Sequence, residues 1–440
     1  MTEADAAAEF LRQLAQAQRV LGEGFAHLPA AQVDPLGEDA ARVLKETAER
    51  LRDNDPYQHP LYAGQMLKPP HRIARAAYAL AMQLNPNNHA LDGGRASSAM
   101  EMEAVAALAK MFGWSEHLGH LTSGGTFANL EALWVAGQLH PGKKILASEQ
   151  SHYTHERISG VLKLPFEKAP VDGVGRMNVQ ALEALIARGD VGCVVATLGT
   201  TGVGAIDPLP EILALRAKYG FRVHVDSAYG GYFTLAGNLA PQGRAAFDRI
   251  GEVDSIVIDP HKHGLQPYGC GCVLFRDPAA GALYRHDSPY TYFSSKELHL
   301  GEISLECSRA GASAVALWAT QRLLPLVRGG EFAAGLEASR RAALEMARRL
   351  EADPRFVVPF PPELDIVVWA PRAGSEMSQR IFDQAALLNL HLALIQLPVS
   401  FFGGRLETEE EFVLCLRSVL MKPEHEHWLD AIFERLDRIL

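Results

Sequence analysis

Ser255 to Arg276 holds a lysine placed where it could act as a nucleophile. An apolar β-branched run, Ser255–Ile258, stops at Asp259-Pro260-His261-Lys262; Gly264 and Pro267 then force a turn before a second apolar run, Cys272–Phe275. Pro260 has no amide hydrogen for a sheet ladder, so the chain leaves the sheet there. Open α/β sheets place ligands just outside the carboxyl ends of their strands, which is where Lys262 falls. With His261 and His263 beside it and little else that is charged, the amine is expected to deprotonate readily, and a neutral amine is what Schiff-base chemistry requires. A solvated loop lysine is the plain alternative.

Two further stretches have matching chemistry. Leu121 to Leu130 reads Leu-Thr-Ser-Gly-Gly-Thr-Phe-Ala-Asn-Leu. Ser123, Gly124, Gly125 and Thr126 open a helix, where unpaired amides and the positive dipole end can hold a phosphate. The same residues also make an ordinary N-cap, and no Lys-Ser or Lys-Thr follows the glycines as in a nucleotide-binding loop. Phe221 to Gly231 carries Asp226 at the end of a buried strand. A lone carboxylate is costly there and needs a cationic partner, for which an arginine salt bridge is the plain alternative. A phosphate cup, a buried carboxylate and an amine nucleophile are together what pyridoxal 5'-phosphate requires: an anchor for its phosphate, a partner for its protonated ring nitrogen and a lysine for its aldehyde.

With these residues in view the sequence resembles the group II pyridoxal-phosphate-dependent decarboxylases, which include the aromatic-amino-acid, tyrosine and glutamate decarboxylases, and it is nearest to the bacterial tyrosine enzymes. The resemblance runs from about Asp55 to the C-terminus. It rests on Asp-Pro-His-Lys262, Val-Asp226-Ser-Ala228-Tyr, Thr-Ser123-Gly-Gly-Thr126 and Gln150-Ser-His152-Tyr-Thr-His155-Glu. It implies fold type I and a homodimer with the site between subunits. Lys262 would form the internal aldimine, Asp226 would pair with the pyridine nitrogen, and His152 and Ala228 would cover the two faces of the ring. Ser123, Gly124, Gly125, Thr126 and His261 would surround the phosphate, and Thr200 would lie near the 3-hydroxyl. The implied reaction is loss of CO2 from an L-amino acid through a quinonoid, with the scissile bond held perpendicular to the ring. Tyr290 and Tyr292, in a polar stretch resembling the family's mobile catalytic loop, are favoured for returning the proton, with Tyr268 shaping the site; His152 is a further candidate for proton transfer.

Substrate choice is less clearly written. Tyr62 and Gln65 fall in a segment resembling the family's substrate-side loop, and Arg309 is a candidate for a carboxylate or for the neighbouring subunit's cofactor phosphate. Lys68 and Arg72 are possible anion contacts near the entrance. A tyrosine-like aromatic substrate is the first expectation, and glutamate or aspartate the second. Aldehyde formation or carbon–carbon lysis with the same cofactor is the third. A binding protein without catalysis is weighed against these, and the intact lysine, aspartate and cup argue against it.

The elements that must position these groups follow from periodicity. Between residues 118 and 276, short apolar strands alternate with helices, with strands expected at 144–148, 193–198, 221–225, 255–258 and 272–275. This spacing predicts an α/β fold with a mostly parallel central sheet flanked by helices. Residues 1–55 form an expected N-terminal helical arm, 56–325 the large cofactor-binding domain and 326–440 a smaller α+β domain. The stretch 284–306 lacks any period and is expected to be a functional loop.

The chain has 440 residues, 48% of them hydrophobic, and a net charge of −10. That balance argues against nucleic acid or an acidic membrane surface as partner. No run is long and apolar enough for a membrane span and the N-terminus has no basic signal region. Five cysteines without a Cys-x-x-Cys pair suit a reducing cytoplasm. His152 and His155 could share a helix face as metal ligands, but no third ligand has suitable spacing, so no metal is expected.

Overall fold

The computed structural model describes residues 2–31, 35–285 and 299–440. Strands β1 (Leu118–Thr122), β2 (Lys144–Ser148), β3 (Phe166–Ala169), β4 (Val191–Thr197), β5 (Arg222–Asp226), β6 (Ser255–Ile258) and β7 (Gly271–Phe275) form one sheet in the order β1-β7-β6-β5-β4-β2-β3. Neighbours from β3 through β6 are parallel, whereas β7 runs antiparallel to both β6 and β1. Two reversals return β1 to the direction of the parallel set. The carboxyl ends of β1, β4, β5 and β6 therefore meet at one edge, where an α/β sheet binds ligands.

The strands are apolar along their length because both faces are covered. Val194 and Ala196 of β4 point into a core shared with Leu209, Ile212 and Leu213 of the Leu209–Tyr219 helix. Cys193 and Val195, one residue out of phase, pack with Leu133 and Ala136 of the Gly125–Leu139 helix. Period-two alternation thus feeds two cores.

Strands β8 (Phe356–Val357), β9 (Ile366–Pro371), β10 (Ala393–Pro398) and β11 (Phe412–Val419) make a second sheet in the order β10-β11-β9-β8, antiparallel throughout. Its core joins Trp369 and Leu416 to Met346, Ile381, Leu429 and Ile432 from three helices. Leu61 and Ala63 enter the same core, and Tyr62 bridges to His391. The proline-flanked loop after the N-terminal helices is thereby fastened to the second sheet.

The expected strands lie within a residue or two of β2, β4, β5, β6 and β7, but β1 and β3 were not anticipated. β1 reads Leu-Gly-His-Leu-Thr, and its polar His120 is tolerated in the core because Nε2 meets Glu131 Oε2 at 2.9 Å. β3 is a short, partly exposed edge strand. The helix that precedes β1 runs from Leu91 to Met111. Of the N-terminal helices, Glu3–Glu23 docks on the body through buried Ala6 and through Phe10, whose ring lies 5.3 Å from the Arg75 guanidinium. Helix Glu38–Leu51 buries none of its residues. The expected loop is flanked by short 3-10 turns, Pro278–Tyr284 and Leu300–Ile303. Tyr290 and Tyr292 lie outside the described residues.

Candidate active site

At the shared strand edge lies a cleft of about 380 Å³ whose walls include Ser123, Gly124, Gly125, Thr126, His152, Asp226, Ala228, His261 and Lys262. Residues distant in sequence converge because each ends a strand or opens the helix that follows one.

β1 leads directly into the Gly125–Leu139 helix, whose Gly124 N-cap makes no side-chain cap hydrogen bond. The Phe127 amide bonds back to the Gly124 carbonyl at 3.0 Å, so the Gly125 and Thr126 amides are the ones that could meet an anionic ligand. Gly125 is required by space: a Cβ there would lie 2.7 Å from the Asp259 carboxylate. Ser123 is exposed, and its amide donates to Glu306 Oε2 at 3.0 Å.

β5 delivers Asp226, buried at 5% exposure. Its Oδ2 meets His155 Nε2 at 2.9 Å and accepts from Asn129 Nδ2 at 3.4 Å, and its Oδ1 accepts from the Ala228 amide at 3.1 Å. Burial pushes this carboxyl up, but the His155 hydrogen bond and charge, the Ala228 amide and the Lys262 charge outweigh it and hold the group well below the usual carboxylate range. Asn129 is itself fixed by His224 Nε2 at 2.8 Å. The partner that the buried carboxylate meets is a histidine, not an arginine. His155, weighed in the sequence as a metal ligand, points one way along its helix to Asp226, while His152 faces the cleft and pairs with Thr154 Oγ1 at 2.8 Å. Burial, with help from Lys262 and His155, lowers His152 below its ordinary value against the pull of Asp226, favouring a neutral ring.

β6 delivers Lys262, and here the expected surroundings need correction. The amine is not left among imidazoles: its Nζ lies 3.0 Å from Asp259 Oδ2, the first residue of its own motif. Asp259 is 2% exposed and its Oδ1 has no hydrogen-bond partner. His261 Nδ1 accepts from the Cys270 amide at 3.3 Å, and its ring packs 4.6 Å from Tyr268. Tyr268 itself is half-exposed and donates to the Met66 carbonyl at 3.0 Å, beside the cleft and not on its wall.

Four further candidates are placed differently from expectation. Thr200 is fully buried and off the cleft wall, because its Oγ1 turns inward to accept from the Ala205 amide at 3.0 Å. Thr197, whose buried Oγ1 has no partner, lines the cleft in its place. Tyr62 and Gln65 also lie off the wall: the Tyr62 hydroxyl accepts from the Gln65 amide at 3.2 Å and its ring packs against Tyr57. Arg309 is committed to Glu101, at 2.8 Å, with both side chains under 10% exposed, and it donates to the Leu121 carbonyl as well. It supports the base of β1 as a structural ion pair.

A residue the sequence reading did not single out is Arg417, on β11. It is 5% exposed and donates to the carbonyls of Thr201 at 2.7 Å, Gly202 at 3.0 Å and Gly64 at 3.4 Å. Among the described residues no carboxylate lies within ion-pair distance of it. A guanidinium has five N–H groups, so it retains donors beside Thr201 on the cleft wall. Only the packing of β11 against the loop after β4 brings it beside that residue, although it is not itself on the wall, and its own neighbours in sequence give no signal.

The donor set fits pyridoxal phosphate. The uncapped helix end would hold the phosphate, the carboxylate with depressed proton affinity would keep a ring nitrogen protonated, and an amine stands at the next strand tip.

Comparison with known proteins agrees. A model of the pyridoxal-dependent decarboxylase conserved domain matches residues 30–371. The L-tyrosine decarboxylase of Enterococcus faecium is 28% identical over 79% of this chain and 76% of its own. The L-aspartate decarboxylase of Thermococcus kodakarensis is 27% identical over 87% of this chain and 98% of its own. Among solved structures, mouse CSAD superposes with a TM-score of 0.78 at 19% identity, covering 99% of both chains. The chain therefore belongs to the pyridoxal-dependent decarboxylases, carboxy-lyases that act on amino acids with pyridoxal phosphate as cofactor.

Proposed function

We propose that the chain converts an aromatic L-amino acid of the tyrosine type to its amine and CO2, as a cytoplasmic homodimer with the cleft near the subunit boundary. The bound cofactor supplies an aldehyde for the reacting amines and a protonated ring that accepts the electrons of the broken bond. Lys262 is the amine that holds the cofactor and yields to substrate. Asp226, kept ionised by His155, holds the proton on the ring nitrogen. His152 and Ala228 enclose the ring. Arg417 holds the substrate carboxylate, which fixes the bond to be broken relative to the ring. Tyr290 or Tyr292 returns the proton to carbon.

The observation that carries the aromatic reading is the Arg309–Glu101 pair. An acidic substrate needs a second cation for its side chain, and Arg309, the sequence's candidate, lies off the cleft wall with its Nη1 held by Glu101 and the Leu121 carbonyl, although its Nε and Nη2 have no partner. The relatives' names divide between tyrosine and aspartate, so a panel of amino acids scored for both CO2 and amine decides. Amine from tyrosine or tryptophan supports the proposal; amine from aspartate or glutamate alone refutes it, and CO2 with an aldehyde points to the third chemistry.

Dimerisation is supported by helix Glu38–Leu51, which leaves Leu44 and Leu51, two turns apart on one face, 62% and 63% exposed. Residues 1–55, 56–325 and 326–440 serve in this proposal as arm, cofactor-binding domain and small domain.

A further inference from the structure

Behind Lys262, on the side away from the active-site cleft, lies a second cleft of about 500 Å³ that shares no wall residue with the first. Its inner wall carries Lys68, Lys422 and His263. We propose that this cleft is a binding site for a small polyvalent oxyanion, a phosphate or a dicarboxylate.

Two amines here lack a direct ion pair, although Asp365 and Glu424 act on Lys68 from farther away and Lys422 also sits 5.2 Å from the Tyr62 ring. Lys422 is 3% exposed and donates to the Tyr62 carbonyl at 2.7 Å; Lys68, half-buried, donates to the Met421 carbonyl at 3.2 Å. Neither amine has a carboxylate within ion-pair distance among the described residues. Buried cations are normally paired, since desolvation of a lone one is costly. The cost is visible in their proton affinities: burial pushes Lys68 down to about 8, and burial with the neighbouring Lys68 charge pushes Lys422 down to about 7. His263 adds a second sign. It is 1% exposed and neither ring nitrogen has a hydrogen-bond partner. Asp365 Oδ2 is 3.2 Å from its Nε2 but lacks the alignment of a hydrogen bond. Two amines and an imidazole therefore present unused donor capacity to one space.

The charges are stratified in a way that suits capture of an anion. Glu331 and Glu424, which also line the cleft, are exposed at its mouth together with Arg72, where water screens them. The inner wall is cationic. A singly charged ion would satisfy one amine, whereas a dianion with several acceptor oxygens offsets both and can also accept from His263.

The test uses full-length protein loaded with its cofactor, so that the cup at Ser123 to Thr126 is already filled. Calorimetric titration with inorganic phosphate in one arm and succinate in the other, at ionic strength held constant with chloride, should show saturable binding of at least one anion at one site per chain. Saturation by phosphate identifies a phosphate site and saturation by succinate a carboxylate site. Lys68→Gln and Lys422→Met should each weaken that binding roughly tenfold or more, the loss of one charge-assisted hydrogen bond, while Lys45→Met on the exposed arm helix should not. Lys422 is almost wholly buried, so the half-buried Lys68→Gln variant, whose folding is less at risk, is the deciding one. No saturable binding of either anion, or unchanged affinity in Lys68→Gln, overturns the proposal.

Discussion

His155 Nε2 lies 2.9 Å from Asp226 Oδ2, with both side chains almost wholly out of solvent. The pair sets the protonation of the carboxylate that faces the cofactor ring, and removing one partner strands the other. His155→Phe should destabilise the fold by about 3–5 kcal/mol, the usual result of breaking a buried pair, and should weaken cofactor retention. The folded-state pKa of Asp226 is depressed, so its contribution is present above the unfolded carboxylate value and lost as pH falls through the folded one. Urea melts at pH 7 and at successively lower pH should therefore show the gap between wild type and variant closing on acidification.

Arg309 and Glu101 form a support for β1, and the two readings of Arg309 separate in kinetics. Arg309→Met should lower stability by about 3–5 kcal/mol while leaving KM for an aromatic substrate within about twofold. A KM rise of a hundredfold with unchanged stability would instead place Arg309 on the substrate.

Arg417 is the complementary case. Its guanidinium holds three backbone carbonyls beside the cleft, and in the proposed function it binds the substrate carboxylate. Arg417→Lys keeps the charge but loses the planar fork. A drop in kcat/KM of roughly ten- to a hundredfold is expected, corresponding to the about 1.5–3 kcal/mol of a hydrogen bond to a charged group, with cofactor absorbance preserved. Steady-state kinetics on the purified variant, with that absorbance as the control, reads this directly.

Asp207 gives a pH signature unrelated to catalysis. It is fully buried, accepts from the Thr197 and Met177 amides at 2.7 Å each, and is pushed up to about 7, chiefly by burial. A carboxyl whose folded pKa is raised binds a proton in the native state while the unfolded chain has released its own, so stability falls as pH rises from about 4 to 7. Denaturant midpoints at pH 5 and pH 7 should differ by less in Asp207→Asn than in wild type. An equal pH dependence would show that Asp207 does not titrate there.

Much of the fold and the centre of the site were legible in the sequence because they are local. Strand β6 and its Asp-Pro-His-Lys terminus, the glycines at 124 and 125, and Asp226 at the end of β5 are each encoded by neighbouring residues, and the alternation of strands and helices then forces their carboxyl ends together. What was not legible depends on contacts across the chain. β1 was missed because its His120 is made acceptable only by Glu131 on the next helix. His155 was weighed only as a metal ligand and set aside, since nothing local tells an imidazole which carboxylate it will meet. Arg417 comes beside the cleft residue Thr201 only through the second sheet, and Thr200 turns its hydroxyl to the Ala205 amide while Thr197 lines the cleft. The nearest correction concerns Asp259, read at first as part of a motif and found to be the charge beside the lysine amine.

The account stands on Lys262 as the residue that bonds the cofactor. Borohydride reduction of the holoprotein, followed by proteolysis and mass mapping, should place the cofactor's mass on the peptide carrying Lys262, and Lys262→Ala should take up no reducible cofactor. Label on any other lysine, or a Lys262→Ala protein that still traps it, would contradict the assignment.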